Sequence, residues 1–286
     1  MKANKKQIQD FIKYVWLSYQ ENKRSMPWRP PLLEIQNENT LDSYAIYVSE
    51  VMLQQTQVSR VEKKFTEFRN EFSSFEKLAQ APLSKVLRVW QGMGYNRRAK
   101  YLKEAAGIIS NVYKGVIPED PILLENLPGI GPATARSIVT FIYNKPEVFI
   151  ETNIRRVMIH HFFPKKTSVS DHEILPYIVK TLDRENPREW YYALMDYGSS
   201  LKRNIPNPNK QSKHYFKQSK FEGSNRQIRG HVLKILIAHG TMQKDSLVEV
   251  VSAPQKRVYD IVDEMIEERM VMEKGGNYLI YDTITK

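Results

Sequence analysis

Apolar residues recur at three- and four-residue spacing through most of the first two hundred positions. That is the pattern of helices that bury one face. It predicts helices over 7–19, 44–68, 83–90, 97–112, 132–143, 153–163, 174–182 and 189–201, separated by stretches containing Pro, Asn and Gly. Residues 1–201 therefore read as one mainly α domain. The pattern then lapses over 202–226, a connecting segment, and resumes over 227–286. There it predicts helices at 227–239, 244–251 and 255–268 and a hairpin at 271–281 that turns at Gly275, Gly276 and Asn277. Three helices followed by a two-stranded wing outline a small winged-helix-like domain.

Composition sharpens this picture in three ways. The 286-residue chain is 41% hydrophobic, enough for packed cores, and carries a formal charge of +11. Such a surface suits a polyanionic partner, nucleic acid above all, although an ordinary lysine-rich soluble protein has the same balance. Much of the excess lies in residues 202–230, which hold eight Lys or Arg against one acid, Glu222. Lys213, Lys217 and Lys220 alternate there with Tyr215 and Phe221. The segment suits a phosphate backbone, with the aromatics anchoring it to the helices, or it is a solvated linker.

The absence of cysteine excludes disulfides, thiolate nucleophiles, Cys-ligated zinc and the usual iron–sulfur ligation. No metal or other cofactor is expected. No apolar run reaches the length of a membrane span, and the start of the chain lacks a signal-peptide core, so a cytoplasmic protein without membrane contact is expected.

The most informative stretch for partner class is Leu127-Pro128-Gly129-Ile130-Gly131 between two helices. Pro132 suits a first helical turn. Gly129 and Gly131 permit positive φ and leave amides uncovered at a helix start, where they hold a phosphate without reading sequence. The same spacing also serves an ordinary helix–loop–helix turn. In the 255–268 helix, residues 256–259 would reach DNA in a winged helix. Asp260, Asp263, Glu264, Glu267 and Glu268 on that helix fit protein contact or plain packing equally well.

SEVMLQQTQV at 49–58, GMGY at 92–95, LPGIG at 127–131 and ETNIRRV at 151–157 occur in the order found in MutY-type adenine DNA glycosylases. PWR at 27–29 and ALMDYG at 193–198 match as well. Over about residues 5–200 the chain resembles that family, which implies the helix-hairpin-helix glycosylase fold and duplex DNA with a mispaired or damaged base as partner, bound by a monomer. Hydrolysis of an adenine nucleoside needs a protonated leaving base, a stabilised sugar cation and a water, and two carboxyl groups meet these needs.

Glu50, the only acid between Asp42 and Glu62, fits the proton donor. Glu151 falls where the family has its catalytic aspartate; one methylene longer, it could also cap the following helix. By the same resemblance Asn153, Asp196, Trp28 and Arg29 belong to the base pocket. Gln55 and Tyr95 enter the base stack, and Gly129, Gly131, Arg97 and Arg98 face the DNA backbone. Lys213, Lys217 and Lys220 extend that basic surface.

Ala133 stands where bifunctional relatives carry a Schiff-base lysine, so strand cleavage by that route is excluded and a monofunctional enzyme is expected. Two further departures are the missing cluster cysteines and a C-terminal part unlike the family's hydrolase-related domain. The expected substrate is adenine opposite 8-oxoguanine or guanine. Thymine or uracil opposite guanine, and a non-catalytic DNA-binding damage sensor, are the alternatives the residues leave open.

Overall fold

The computed structural model describes residues 4–29 and 41–282. In chain order its helices are α1 (Lys5–Asn22), α2 (Ser43–Leu53), α3 (Val58–Glu71), α4 (Phe75–Gln80), α5 (Leu83–Trp90), α6 (Arg97–Asn111) and α7 (Pro121–Glu125). Then come α8 (Pro132–Tyr143), α9 (Thr152–Phe162), α10 (Asp171–Thr181) and α11 (Pro187–Asn204). The C-terminal module is α12 (Asn225–His239), β1 (Thr241–Gln243), α13 (Lys244–Val251), α14 (Gln255–Glu267), β2 (Val271–Lys274) and β3 (Asn277–Ile280). The chain is mainly α, as the apolar spacing predicts. It divides into two compact units, each drawn from separated stretches of sequence.

One unit takes Met1–Leu41, Pro118–Glu125 and Gly131–Lys217. Its centre is α11, whose Trp190, Tyr191 and Leu194 are fully buried. Each such side chain contributes about 1.5–3 kcal/mol by leaving water. Helix α1 begins at a reciprocal capping box between Asn4 and Gln7 and buries Phe11, Val15 and Tyr19 against α11. Helices α9 and α11 approach closely because residue 198 is glycine: a Cβ there would lie 2.5 Å from the Asn153 carbonyl oxygen. Past α11 the basic segment does not trail off. Val169 and Ser212 form an isolated parallel bridge, with Val169 N–H donating to Gln211 O and Lys213 N–H to Val169 O, both at 2.8 Å.

The other unit takes Asp42–Ile117, Asn126–Ile130 and Gln218–Lys286. Helix α2 is apolar nearly all round and is buried accordingly, Asp42 capping its start through the Ala45 amide. The single helix expected over 44–68 is in fact two, α2 and α3, because the backbone turns at 54–57. No Gly or Pro marks that break, and the apolar spacing runs through it. Helix α4 escapes the periodicity because it is six residues long. In the C-terminal module the expected helices and hairpin are joined by a third strand, giving an antiparallel sheet in the order β1-β3-β2. Val271 pairs with Ile280 and Thr241 with Leu279, which turns Tyr278 and Ile280 inward.

Candidate active site and nucleic-acid interface

Glu50 lies on α2 in the second unit, half-buried between the buried Ser49 and Val51. Glu151 lies in the first unit and is the N-cap of α9. Its Oε1 accepts the Asn153 and Ile154 amides at 2.7 and 2.8 Å, and its Oε2 accepts Asn153 Nδ2 at 3.2 Å. A carboxylate has about four acceptor positions, so Oε2 keeps one more. Burial raises the Glu151 carboxyl above its ordinary value, opposed by the two amide bonds and by the charges of Arg156 and Arg155.

Two groups hold the start of α9 in place. Arg156, 3% exposed, donates Nη1 to Asn153 Oδ1 at 2.6 Å and to the Gly198 carbonyl at 2.7 Å. A guanidinium can only donate, so Asn153 must turn its oxygen to Arg156 and its amide nitrogen to Glu151. From the basic segment, buried Asn209 donates Nδ2 to the Thr152 carbonyl at 2.9 Å. Neither Arg156 nor Asn209 stands out in the sequence, although Arg156 sits inside ETNIRRV and Gly198 closes ALMDYG.

The structure also brings Arg29 and Asp196 together. Asp196 is 5% exposed. It accepts Arg24 N–H and Nε at 2.9 and 2.7 Å and Arg29 Nη1 at 2.9 and 3.0 Å. Arg29 stacks 4.3 Å over the Tyr192 ring, and Trp28 is buried beside it in sequence. Asp196, placed in the base pocket by resemblance, here has its oxygens taken by two guanidiniums and ties the 24–29 segment to α11. Breaking such a pair strands a buried charge at a cost of about 3–5 kcal/mol.

In the second unit, Gln55 and Tyr95 share a rare backbone state. Their φ angles are 57° and 48°, in the left-handed region, which costs a non-glycine residue about 1–3 kcal/mol. Both are exposed. The two turns meet at Arg98. The expectation that Arg98 faces phosphate is corrected, because its side chain is buried and both its terminal nitrogens are engaged inside the fold. Nη1 donates to the carbonyls of Val51, Met52 and Gln54, and Nη2 to Thr56 Oγ1 and the carbonyls of Met93 and Gly94. Burial lowers its pKa to about 10, so it stays charged at neutral pH. Arg97 next to it is exposed and ion-paired with Glu268.

The hairpin loop is divided in its use of glycine. Gly129 has φ 77°, and a Cβ there would crowd the Tyr101 ring at 3.0 Å. Its carbonyl accepts Gln54 Nε2 at 3.1 Å. Gly131 has φ −95°, so the positive φ expected of it is absent; it is the N-cap of α8 and offers no side chain to cap that helix. Leu127 and Ile130 are buried. Lys213, Lys217 and Lys220 are exposed. Tyr215 and Phe221 do not anchor the segment as expected: they are 43% and 60% exposed, and Phe216 is 84% exposed.

An iron–sulfur cluster has no ligands here, since the sequence lacks cysteine. Among the described residues no group of three or more His, Asp or Glu could hold a metal ion. The residues present do not fit that group. Among the described residues no helix is long and apolar enough to cross a membrane.

Residues 48–177 match the family model of the HhH-GPD superfamily base excision DNA repair proteins. An adenine DNA glycosylase of Mycolicibacterium smegmatis is 40% identical over 140 residues, 49% of this chain and 45% of that protein. The adenine DNA glycosylase of Mycobacterium tuberculosis is 33% identical over 192 residues, 64% of this chain and 59% of the relative. The chain thus spans about half the length of the curated relatives it matches. Among solved structures, a thermostable thymine-DNA glycosylase superposes with a TM-score of 0.58 at 22% identity, over 69% of this chain and 88% of that one. A trapped endonuclease III–DNA covalent intermediate gives 0.56 at 17% identity, over 70% and 88%.

Proposed function

We propose, from the match of residues 48–177 to the HhH-GPD superfamily base excision DNA repair proteins, that the chain is a monofunctional DNA glycosylase. It acts as a monomer on duplex DNA and hydrolyses the glycosidic bond of adenine mispaired with 8-oxoguanine or guanine. The observation that carries this reading is the pair of carboxyl groups in two different settings. Glu50 interrupts an otherwise buried apolar helix, and Glu151 is locked at a helix start with acceptor capacity on Oε2. Glu50 protonates the leaving purine and then takes a proton from the attacking water. Glu151 faces the cationic sugar as its counter-charge, aimed by Asn153 and Arg156.

Gln55 and Tyr95 enter the base stack when the target base leaves it. Their backbones are already in the left-handed state, so stacking does not have to supply the cost of that turn. Gly129, Gly131 and the exposed Lys213, Lys217 and Lys220 meet phosphates. Ala133 offers no amine, so the product is an abasic site and the strand stays whole. In this reading residues 1–201 form the catalytic domain, 202–226 connect it, and 227–286 form the winged-helix-like part.

The Glu50→Gln variant tests the reading. Gln keeps the size and cannot donate the proton, so adenine release should vanish while duplex affinity stays within about twofold of wild type. Wild-type turnover by the variant would remove Glu50 from the mechanism.

A further inference from the structure

We infer that the C-terminal module is a brace for the Tyr95 turn, a positioning element of the base-flipping machinery and not a separate DNA reader. The inference rests on the proposed role of Tyr95 as the group that enters the stack. Gln218, in the segment that leads into the module, and Arg226, in the first turn of α12, donate to the Tyr95 hydroxyl. The Arg226 guanidinium also lies 5.9 Å from the Tyr95 ring centroid, and that of Arg98 lies 5.6 Å from it, so two cations border one π face system. Arg226 is itself fixed, since Nη2 donates to the Ser219 carbonyl at 2.8 Å.

Two positions further on, Arg97 pairs with Glu268, which caps the end of α14 and also pairs with Arg229 on α12. Ser84 N–H donates to Asp282 at 2.8 Å, and α12 packs on α5, so the module has further attachments beside these. The turn at 95–97 is thus gripped at both its ends by residues of the module.

The helix that would read DNA argues the same way. Helix α14 carries Lys256 and Arg257 against Asp260, Asp263, Glu264 and Glu267, an acid excess that repels phosphate. Arg257 is engaged inside the module, donating to the Gly223 carbonyl and Asn225 Oδ1, both at 2.7 Å. Tyr259 donates to Asp245 at 2.8 Å. What the helix offers outward is mostly acid, and what it offers inward holds the turn.

The test uses the full chain, with Glu268→Gln and Arg226→Met variants and Tyr95→Phe for a double-mutant cycle. Base flipping is read from the fluorescence of 2-aminopurine placed at the target position. Release of adenine is read in single turnovers with enzyme in excess, and binding is measured on an abasic duplex that needs no flipping. The brace predicts that Glu268→Gln and Arg226→Met each slow flipping and release by about tenfold to a hundredfold. Abasic-duplex affinity and its salt dependence should be unchanged. Arg226→Met and Tyr95→Phe should be strongly non-additive, because both act on the same hydroxyl.

A DNA-facing role predicts the reverse. Removing an acid would tighten binding and leave release alone, and removing Arg226 would flatten the salt slope by about 0.9. Either result overturns the brace. Tyr95→Ala separates the two levels. If it leaves flipping intact, the proposed role of Tyr95 fails. If it abolishes flipping while Glu268→Gln and Arg226→Met match wild type, the brace alone fails.

Discussion

Arg156 in one unit and Arg98 in the other are both buried, and both donate to main-chain carbonyls, yet they do different work. Arg156 touches one carbonyl and the Asn153 and Asn207 side chains, and through Asn153 it sets the direction of a carboxylate. Arg98 touches five carbonyls and a hydroxyl, and it sets the path of two turns. The first arrangement aims a charge. The second holds strained backbone, so that an amide and an aromatic stand exposed in a state they would otherwise leave. Arg97, beside Arg98 in sequence, instead pairs with Glu268 at the surface.

The largest effect is expected at Glu151. Glu151→Gln should lower adenine release by at least about a hundredfold, since the sugar cation loses its counter-charge. The amide oxygen can still accept the Asn153 and Ile154 amides, so the fold should survive. Because burial raises the Glu151 carboxyl, the folded chain holds its proton to higher pH than the unfolded chain does. Stability from that source is present at low pH and lost as pH rises past the ordinary glutamate value through the raised one. The variant's melting temperature relative to wild type should therefore climb as pH increases. Full release by Glu151→Gln would leave the residue as a cap alone. Glu151→Asp should also slow release, as the shorter chain withdraws Oε2.

Arg98→Lys tests the turns. A lysine keeps the charge but cannot serve acceptors spread over two loops. Release should fall by up to about a hundredfold, with 2-aminopurine flipping falling alongside it. Retained flipping would show that the left-handed turns need no such tie.

A smaller effect is expected on the exposed lysines. Replacing Lys213, Lys217 and Lys220 by Ala should weaken matched and mismatched duplexes alike. The salt dependence of affinity should flatten by about 0.9 for each phosphate that is no longer neutralised. An unchanged slope would make the segment a tether.

The smallest effect concerns acid stability. Burial, with His160 beside it, lowers His161 to about 4, while its ring nitrogen meets the Tyr197 hydroxyl at 2.8 Å. As pH falls from about 6.5 toward 4, the unfolded chain takes up a proton that the folded chain refuses, and stability drops. In His161→Asn the melting temperature should decline less over that window, and an identical decline would assign acid sensitivity elsewhere.

Helical periodicity made most helices legible, and the C-terminal hairpin was plain from its glycines. The break at 54–57 was not, because a left-handed Gln55 leaves no mark on apolar spacing. It is held by Arg98, about forty residues away in sequence. Glu50 could be singled out as a lone acid in an apolar run, and Glu151 as an acid at a helix start. The partners of Asp196 were not legible, because resemblance transfers an identity and not a set of contacts, and Arg24 and Arg29 arrive from a distant segment. Arg98 misled for a related reason: a basic residue after a glycine turn suits phosphate and carbonyls equally, and only packing decides between them.

In the proposed reaction this chain releases a base and leaves the strand intact. Its most direct test is single-turnover incubation of wild type with labelled duplexes carrying adenine opposite 8-oxoguanine or guanine, beside thymine and uracil opposite guanine and fully matched controls. Each product is resolved with and without hot alkali. The account predicts strand scission only after alkali, on the adenine mispairs, at the adenine. Scission without alkali, release of thymine or uracil in place of adenine, or no alkali-labile product on any duplex would contradict it.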